Sequence, residues 1–305
     1  MRSEDLIIAI DLGSNTLRVL CYDCQAEEAV AAFEKIVKTA DGLREHGFIN
    51  DAAVARVIAA IKEAKQVIDF SEQRIKAVTT EALRQASNKV QVLRSIEEET
   101  GIIFEIISGE KEAEYTLLAV KNRLRKLHYA SQSFVLVDIG GGSTELIFCY
   151  PDKTISKSFP VGIVTIAQTY QTLEKIDQVL SSVMFEMQMF CAEVYATKGK
   201  VDSFVATAGT PTTVAAMKLG QTYESYDASK INGTSLVMTE LDLYLKKLLA
   251  MPLEEREVTV GTGRSDLIAA GILIFKQLFT IVEFEKCVVV DDGLREGVAL
   301  KGCNK

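Results

Sequence analysis

Two stretches of this chain share one plan: residues 7–23, IIAIDLGSNTLRVLCYD, and residues 135–150, VLVDIGGGSTELIFCY. Each is an apolar strand ending in Asp-x-Gly, a turn of small residues, a threonine and a second apolar strand. With one residue inserted in the second copy, TLRVLCY lies against TELIFCY and Asp11 against Asp138. Threonine-rich turns after strands follow at Thr79 and Thr207, 68 residues beyond Asp11 and 69 beyond Asp138. Two features in the same order at matched spacing predict two similarly built halves. Gly140, Gly141 and Gly142 leave main-chain N–H groups unobstructed, as the approach of a phosphate requires, and Ser143 and Thr144 add hydroxyls. A plain hairpin has no use for three glycines, since each adds ordering entropy.

With 305 residues, 48% of them hydrophobic, the chain can fill two ordinary cores. A net charge of −8 argues against broad nucleic-acid binding, so an anionic ligand must meet a local group of cations. His46 and His128 are the only histidines, which leaves acid–base chemistry mainly to carboxylates. The longest apolar run, residues 267–275, is too short to span a bilayer, and the N-terminus lacks the cationic start and cleavage site of a leader. A cytoplasmic protein with no membrane partner is expected. Cys21 and Cys24 have CxxC spacing, but no second pair or nearby histidine completes a zinc site. The six cysteines are expected to be reduced, most of them small hydrophobes in apolar segments.

Along the chain, residues 48–70 contain an amphipathic helix capped by Asn50 or Asp51, and a shorter helix over 89–99 ends before Gly101. A strand over 102–107 leads to Ser108, which caps a helix through residue 127 with Glu110 and Glu112 in its first turn. The polar break at 128–133 sets the domain boundary: residues 1–128 and residues 129–305. The second half repeats the hairpin, adds a strand near 153–160, and predicts helices at about 175–197, 241–250 and 264–282. A strand at 286–291 precedes a terminal helix that can pack back on the first domain. Alternating strands and helices with hairpins indicate an α/β fold with mixed sheets.

Asp11 and Asp138 can hold a divalent cation, directly or through water, or simply form strand-end turns. Glu145, beside the glycine turn, can orient a metal or a water. Glu110, Glu112 and Glu114 all lie near one helix start, and spacing does not choose among them. Arg84, Arg264 and Arg295 adjoin turns and offer forks to phosphate, with Lys35, Lys38, Lys198 and Lys200 as further candidates. The run KNRLRK at 121–126 reads as a solvated helix face.

The motifs DLGSNT (11–16), ADGL (40–43), ALRQA (82–86), ISGEKEA (107–113), DIGGGSTEL (138–146), TAGT (207–210), RSDLIAAG (264–271) and DGLREG (292–297) together resemble the exopolyphosphatase and guanosine-pentaphosphate phosphohydrolase (Ppx/GppA) family. The resemblance implies two ribonuclease-H-like domains of the actin-like ATPase and sugar-kinase superfamily, flanking an active-site cleft. It implies a Mg²⁺- (or Mn²⁺-) dependent phosphohydrolase acting on inorganic polyphosphate, on guanosine pentaphosphate (pppGpp), or on both. Within the family pattern Glu112 activates the attacking water and Glu145 positions it, while Asp11, Asp138 and Glu145 hold the metal. Phosphate falls to Gly13, Ser14, Asn15, Thr16, Arg84, Gly140, Gly141, Gly142, Ser143, Thr144, Gly209, Thr210 and Arg264. A homodimer is a further expectation. Long members carry an additional C-terminal helical region associated with long polyphosphate and dimer formation, and this chain ends soon after DGLREG. The alternatives are a phosphotransferase of the same superfamily and a non-catalytic sensor of guanosine tetra- or pentaphosphate.

Overall fold

The computed structural model describes residues 5–71 and 73–303. The first four residues, on which the expectation about a leader partly rests, lie outside them. In chain order the elements are β1 (Leu6–Leu12), β2 (Thr16–Asp23), β3 (Glu28–Ile36), α1 (Leu43–His46), α2 (Asp51–Val67), β4 (Arg74–Thr79), α3 (Glu81–Gln85), α4 (Lys89–Thr100), β5 (Phe104–Ile106) and α5 (Gly109–Lys126). There follow β6 (Phe134–Ile139), β7 (Thr144–Cys149), β8 (Thr154–Phe159), α6 (Ile163–Tyr170), α7 (Leu173–Val183), α8 (Phe185–Lys198), β9 (Ser203–Thr207) and α9 (Gly209–Lys218). The chain closes with α10 (Ala228–Ile231), β10 (Ser235–Val237), α11 (Met238–Ala250), α12 (Leu253–Val260), α13 (Ser265–Ile281), β11 (Lys286–Val289) and α14 (Leu294–Cys303).

Two compact units result. The first runs to Ala119 and resumes at Gly293; the second runs from Val120 to Asp292. The division therefore falls inside α5, upstream of the polar break, and α14 belongs to the first unit. The first sheet has the order β3-β2-β1-β4-β5, with β1, β2 and β3 antiparallel and β1, β4 and β5 parallel. The second has the order β10-β11-β9-β6-β7-β8, the same plan with β10 added as an antiparallel edge. Central strands such as FVLVDI are buried along their whole length, which is why they read as unbroken apolar runs. The edge strand β3, EAVAAFEKI, is largely exposed and carries the charges that discourage edge-to-edge pairing.

Helices cover the sheets for legible reasons. Asn50 caps α2 by accepting from the Ala53 N–H, and Ala53, Val57, Ala60, Ile61 and Ala64 bury one stripe. In the first unit, α14 lies on β1, β2 and β4, where Leu294, Val298 and Ala299 join Ile7, Ala9, Leu20, Tyr22, Val78 and Tyr115. Gly297 permits this. A Cβ there would sit 1.9 Å from the Tyr115 carbonyl oxygen on α5. Among the described residues no single helix is long and apolar enough to cross a membrane; most of α13, the most apolar, is buried.

Four expectations change. The helix expected over 175–197 is two, α7 and α8, broken at Met184 (φ −95°, ψ 10°). Ile176, Leu180, Met184, Met187, Cys191 and Val194 keep helical spacing through the break and are all buried, so periodicity could not reveal it. The strand expected over 102–107 shortens to β5. The cysteines are not all reduced: Cys24 is bonded to Cys303, whereas Cys21, Cys149, Cys191 and Cys287 are free and buried.

The fourth change concerns the repeat. The hairpins have equal length, each closed by an N–H three residues before its carbonyl partner: Gly13 to Thr16 at 3.0 Å and Gly140 to Ser143 at 2.9 Å. No residue is inserted. Asp11 pairs with Arg18 and Asp138 with Glu145, so Arg18 is the counterpart of Glu145, although the letters align Glu145 with Leu17. A one-residue slip in a strand exchanges the two faces, and only hydrogen-bond register decides between them. The threonines slip likewise, for Thr79 pairs with Leu12 whereas Thr207 pairs with Asp138.

Candidate active site

In the first unit the Asp11–Thr16 turn is held from behind by the β3–α1 loop. The N–H groups of Val37 and Lys38 donate to the Asn15 carbonyl and that of Ala40 to the Ser14 carbonyl, each at 2.9 Å. In a trans peptide the C=O of one residue and the N–H of the next point in opposite directions. Pinning these two carbonyls therefore aims the Asn15 and Thr16 N–H groups away from the loop. Arg56 on α2 holds that loop, donating to the carbonyls of Val37 (2.8 Å) and Lys38 (3.1 Å) and to Asp41 (3.3 Å). Lys38 adopts a left-handed φ of 49° within it.

The second unit reaches the same result with a helix. The first N–H groups of α6, from Ile163 and Val164, donate to the carbonyls of Gly140 (3.0 Å) and Gly141 (2.8 Å). The N–H groups of Gly141 and Gly142 are thereby aimed away from α6. Gly162 makes the approach possible, since a Cβ there would lie 2.4 Å from the Gly141 oxygen. Thr144, wholly buried, braces the turn through its hydroxyl to the Val161 carbonyl at 2.6 Å.

Beside each turn a row of side chains crosses three strands. In the first sheet it reads Asp11, Arg18, Glu34, with Arg18 Nε 3.1 Å from Glu34. Burial works against the charge of Arg18, but Glu34, Asp11 and Glu296 outweigh it and hold the guanidinium above its ordinary pKa. In the second sheet the row reads Asp138, Glu145, Ser158. Glu145, 1% exposed, accepts hydrogen bonds at one oxygen from Ser143 (2.8 Å) and Ser158 (2.6 Å), which fixes it as an acceptor. Asp138 is buried opposite it.

This second row bears on the expected metal. It sets two buried carboxylates on neighbouring strands with a serine as third member, a donor set of oxygens that a divalent cation fits. No group of three or more His, Cys, Asp or Glu suited to a metal occurs among the described residues. Mg²⁺ commonly takes only one or two carboxylates and completes its shell with water and phosphate oxygens. Asp138 and Glu145 fit that habit. Asp11 already has the charge of Arg18 beside it.

The structure separates the three glutamates of the α5 start. Glu110 and Glu114 are exposed, Glu114 pairing with Lys301 at 3.1 Å, whereas Glu112 is buried. Arg84 Nη1 contacts Glu112 at 2.8 Å and also donates to the Ile107 carbonyl at 2.8 Å, while its other nitrogens meet Glu81. Burial opposes the charge of Arg84, and Glu112 and Glu81 more than offset it, raising its pKa. Arg84 is thus placed as the group that orients Glu112.

At the start of α9, Ala208 takes φ 74° and ψ −175°, a conformation natural to glycine, which costs about 1–3 kcal/mol. Gly209 lies against Arg264, whose Nη2 would be 3.0 Å from a Cβ at that position, and the Arg264 guanidinium stands over the Tyr223 ring. Thr210 is wholly buried, with its hydroxyl packed toward Gly271 of α13, so its side chain serves the core. Arg295 pairs with Glu296 at 2.6 Å. Lys35, Lys198 and Lys200 sit in exposed ion pairs with Glu63, Asp152 and Glu283. Sequence reading missed Arg18, Arg56 and Ser158. Counting strand register outward from the turn would have found Arg18; nothing local marks the other two.

The Ppx/GppA phosphatase family model matches residues 24–305. Exopolyphosphatase 2 of Mycobacterium tuberculosis is 26% identical, the match covering 96% of this chain and 97% of that protein. The guanosine-5'-triphosphate,3'-diphosphate pyrophosphatase of Vibrio vulnificus is 29% identical over 97% of this chain and 59% of its own length. A solved structure of the Aquifex aeolicus PPX-GPPA enzyme superposes with a TM-score of 0.74 at 31% identity, covering 97% of this chain and 99% of that one.

Proposed function

This chain belongs to the Ppx/GppA phosphatase family, and from that premise we propose that it hydrolyses the terminal phosphoanhydride of inorganic polyphosphate or of guanosine pentaphosphate. The observation that carries the reading is the pair of Asp-x-Gly turns, each with two successive carbonyls pinned from behind, one position earlier in the second turn than in the first, and the following N–H groups aimed outward. Such backbone donors suit the oxygens of a phosphate chain and require no base or sugar for recognition. The names of the relatives, one an exopolyphosphatase and one a guanosine phosphohydrolase, support both substrates.

In this reading water attacks the terminal phosphorus; one P–O bond forms, and the bond to the bridging oxygen breaks. The departing phosphate chain carries away the electron pair. Glu112, oriented by Arg84, takes the proton of the water, and Glu145, fixed by two serine hydroxyls, aligns it. Arg18, in the row of Asp11, and Arg264, against Gly209, supply charge for the phosphate oxygens. Asp138 and Glu145 would hold Mg²⁺, which when bound neutralises phosphate charge. Water is the acceptor, so no covalent nucleophile is needed.

The test is Glu112→Gln, which keeps the shape and the Arg84 contact but cannot take a proton. Turnover on both substrates falls by about 10²–10⁴-fold with binding retained. Unchanged phosphate release would remove Glu112 from the role, and no release by the parent protein from either substrate would remove the function.

A further inference from the structure

We propose that Cys24 and Cys303 form a reversible thiol–disulfide site, opened by exchange with a small thiol, whose state sets how firmly α14 braces the helix of Glu112. The two residues are 279 apart in sequence yet 5.4 Å apart at Cα, well within bridging range. Cys24 directly follows β2 and Cys303 is the last residue of α14. The fold alone brings them together.

The pair differs from every other cysteine in the chain. Cys21, Cys149, Cys191 and Cys287 are buried, and burial pushes the thiols of Cys21 and Cys287 up and that of Cys191 up to about 11. They are inert to exchange at neutral pH. Cys24 and Cys303 are only partly buried at the rim of the first core. Arg74 stands over their bond: Nη2 contacts Cys24 Sγ at 3.6 Å, and Nη1 donates to the Gly302 carbonyl at 3.0 Å. A guanidinium against sulfur favours the thiolate, which makes Cys24 the better leaving group.

Exchange then has a direction. An incoming thiolate attacks Cys303 Sγ and forms a mixed disulfide there, while the electron pair of the old bond leaves on Cys24 beside Arg74. A second thiolate attacks the sulfur of the first small thiol, forms a small-molecule disulfide and releases Cys303, which takes up a proton. Two small thiols are oxidised and the protein disulfide gains two electrons.

The bond matters because of what α14 touches. Gly297 packs on the Tyr115 carbonyl, one turn beyond Glu112 on α5, and Glu296 acts electrostatically on Arg18 in the Asp11 row. The Gly293 N–H is fixed by Glu296 at 2.9 Å. Releasing Cys303 loosens this brace from its C-terminal end, where Gly302 lies against Ile7. In reducing compartments such disulfides are characteristically transient and sensing.

The test uses the full chain, purified in air and then treated with glutathione or dithiothreitol before iodoacetamide labelling and peptide mass mapping. Without thiol, Cys24 and Cys303 stay unlabelled. Limiting glutathione leaves its adduct on Cys303, and dithiothreitol exposes both residues while the four buried cysteines remain unmodified. Amide exchange in α14 then quickens by more than about tenfold, and Tm falls by roughly 5–15 °C. Cys303→Ser shows the loosened state without reductant, and Arg74→Gln slows reduction several-fold. Labelling before any thiol, a bond that resists dithiothreitol in the folded protein, glutathione found on Cys24, or unchanged α14 exchange after reduction each overturns the proposal. A fall in phosphate release on reduction rests additionally on the phosphohydrolase reading; labelling and exchange do not, so the two fail separately.

Discussion

The two Asp-x-Gly turns are the same device built from different parts. Both are closed by one three-residue hydrogen bond, and both have two successive carbonyls pinned from behind. The first unit pins them with an irregular loop that Arg56 holds; the second uses the N-terminus of α6, brought close by Gly162. The rows beside them diverge further. Asp11, Arg18 and Glu34 alternate in charge, with a guanidinium between two carboxylates, whereas Asp138, Glu145 and Ser158 set two carboxylates together. The lesson is a division of labour between duplicated halves. The alternating row supplies a fixed cation in Arg18; the acidic row is the one to which the proposed function assigns Mg²⁺.

The widest difference is expected between Glu145→Gln and Arg18→Gln. The first lowers turnover by about a hundredfold or more and raises the Mg²⁺ concentration needed for half-maximal phosphate release. The second lowers kcat/KM by roughly tenfold, chiefly through KM, with the Mg²⁺ requirement unchanged. Equal shifts in Mg²⁺ requirement would erase the distinction between the rows. The turns are compared next. Gly162→Ala forces a Cβ against the Gly141 carbonyl and costs about 1–3 kcal/mol in denaturant unfolding, while Gly13→Ala, whose Cβ meets only the Thr16 oxygen at 3.5 Å, costs far less.

Arg56→Ala removes the hold on the first loop and costs roughly 1 kcal/mol, with KM rising and the second unit's exchange protection unaltered. The smallest effect concerns the strand-to-helix turns. Ala208→Gly relaxes a left-handed residue and raises stability by about 1 kcal/mol. The corresponding Thr80→Gly, at an ordinary φ of −124°, lowers it slightly in the same thermal assay.

Much of this was legible in residue order. Asp-x-Gly followed by small residues marks a turn, and the short apolar runs on either side of it mark strands, whereas the longest apolar run, residues 267–275, lies in the helix α13. The cap at Asn50 or Asp51, which the structure assigns to Asn50, and the Gly101 stop were readable because capping chemistry is local. Glu112 was one of three equal candidates by spacing, and only the family pattern chose it. In the structure it is the one that is buried and held by Arg84, a partner 28 residues away. The break at Met184 was invisible because the apolar spacing runs through it.

The sequence by itself determined that there are two α/β halves, that each carries a glycine-bearing turn, and which residue types stand there. Backbone conformation and hydrophobic period act over a few residues, so letters carry them. Only the tertiary structure decided that Arg18 rather than Leu17 answers Glu145, that Arg84 meets Glu112, and that Cys24 bonds Cys303. Register depends on hydrogen bonds between strands and pairing on distant chain, and neither leaves a mark in local spacing.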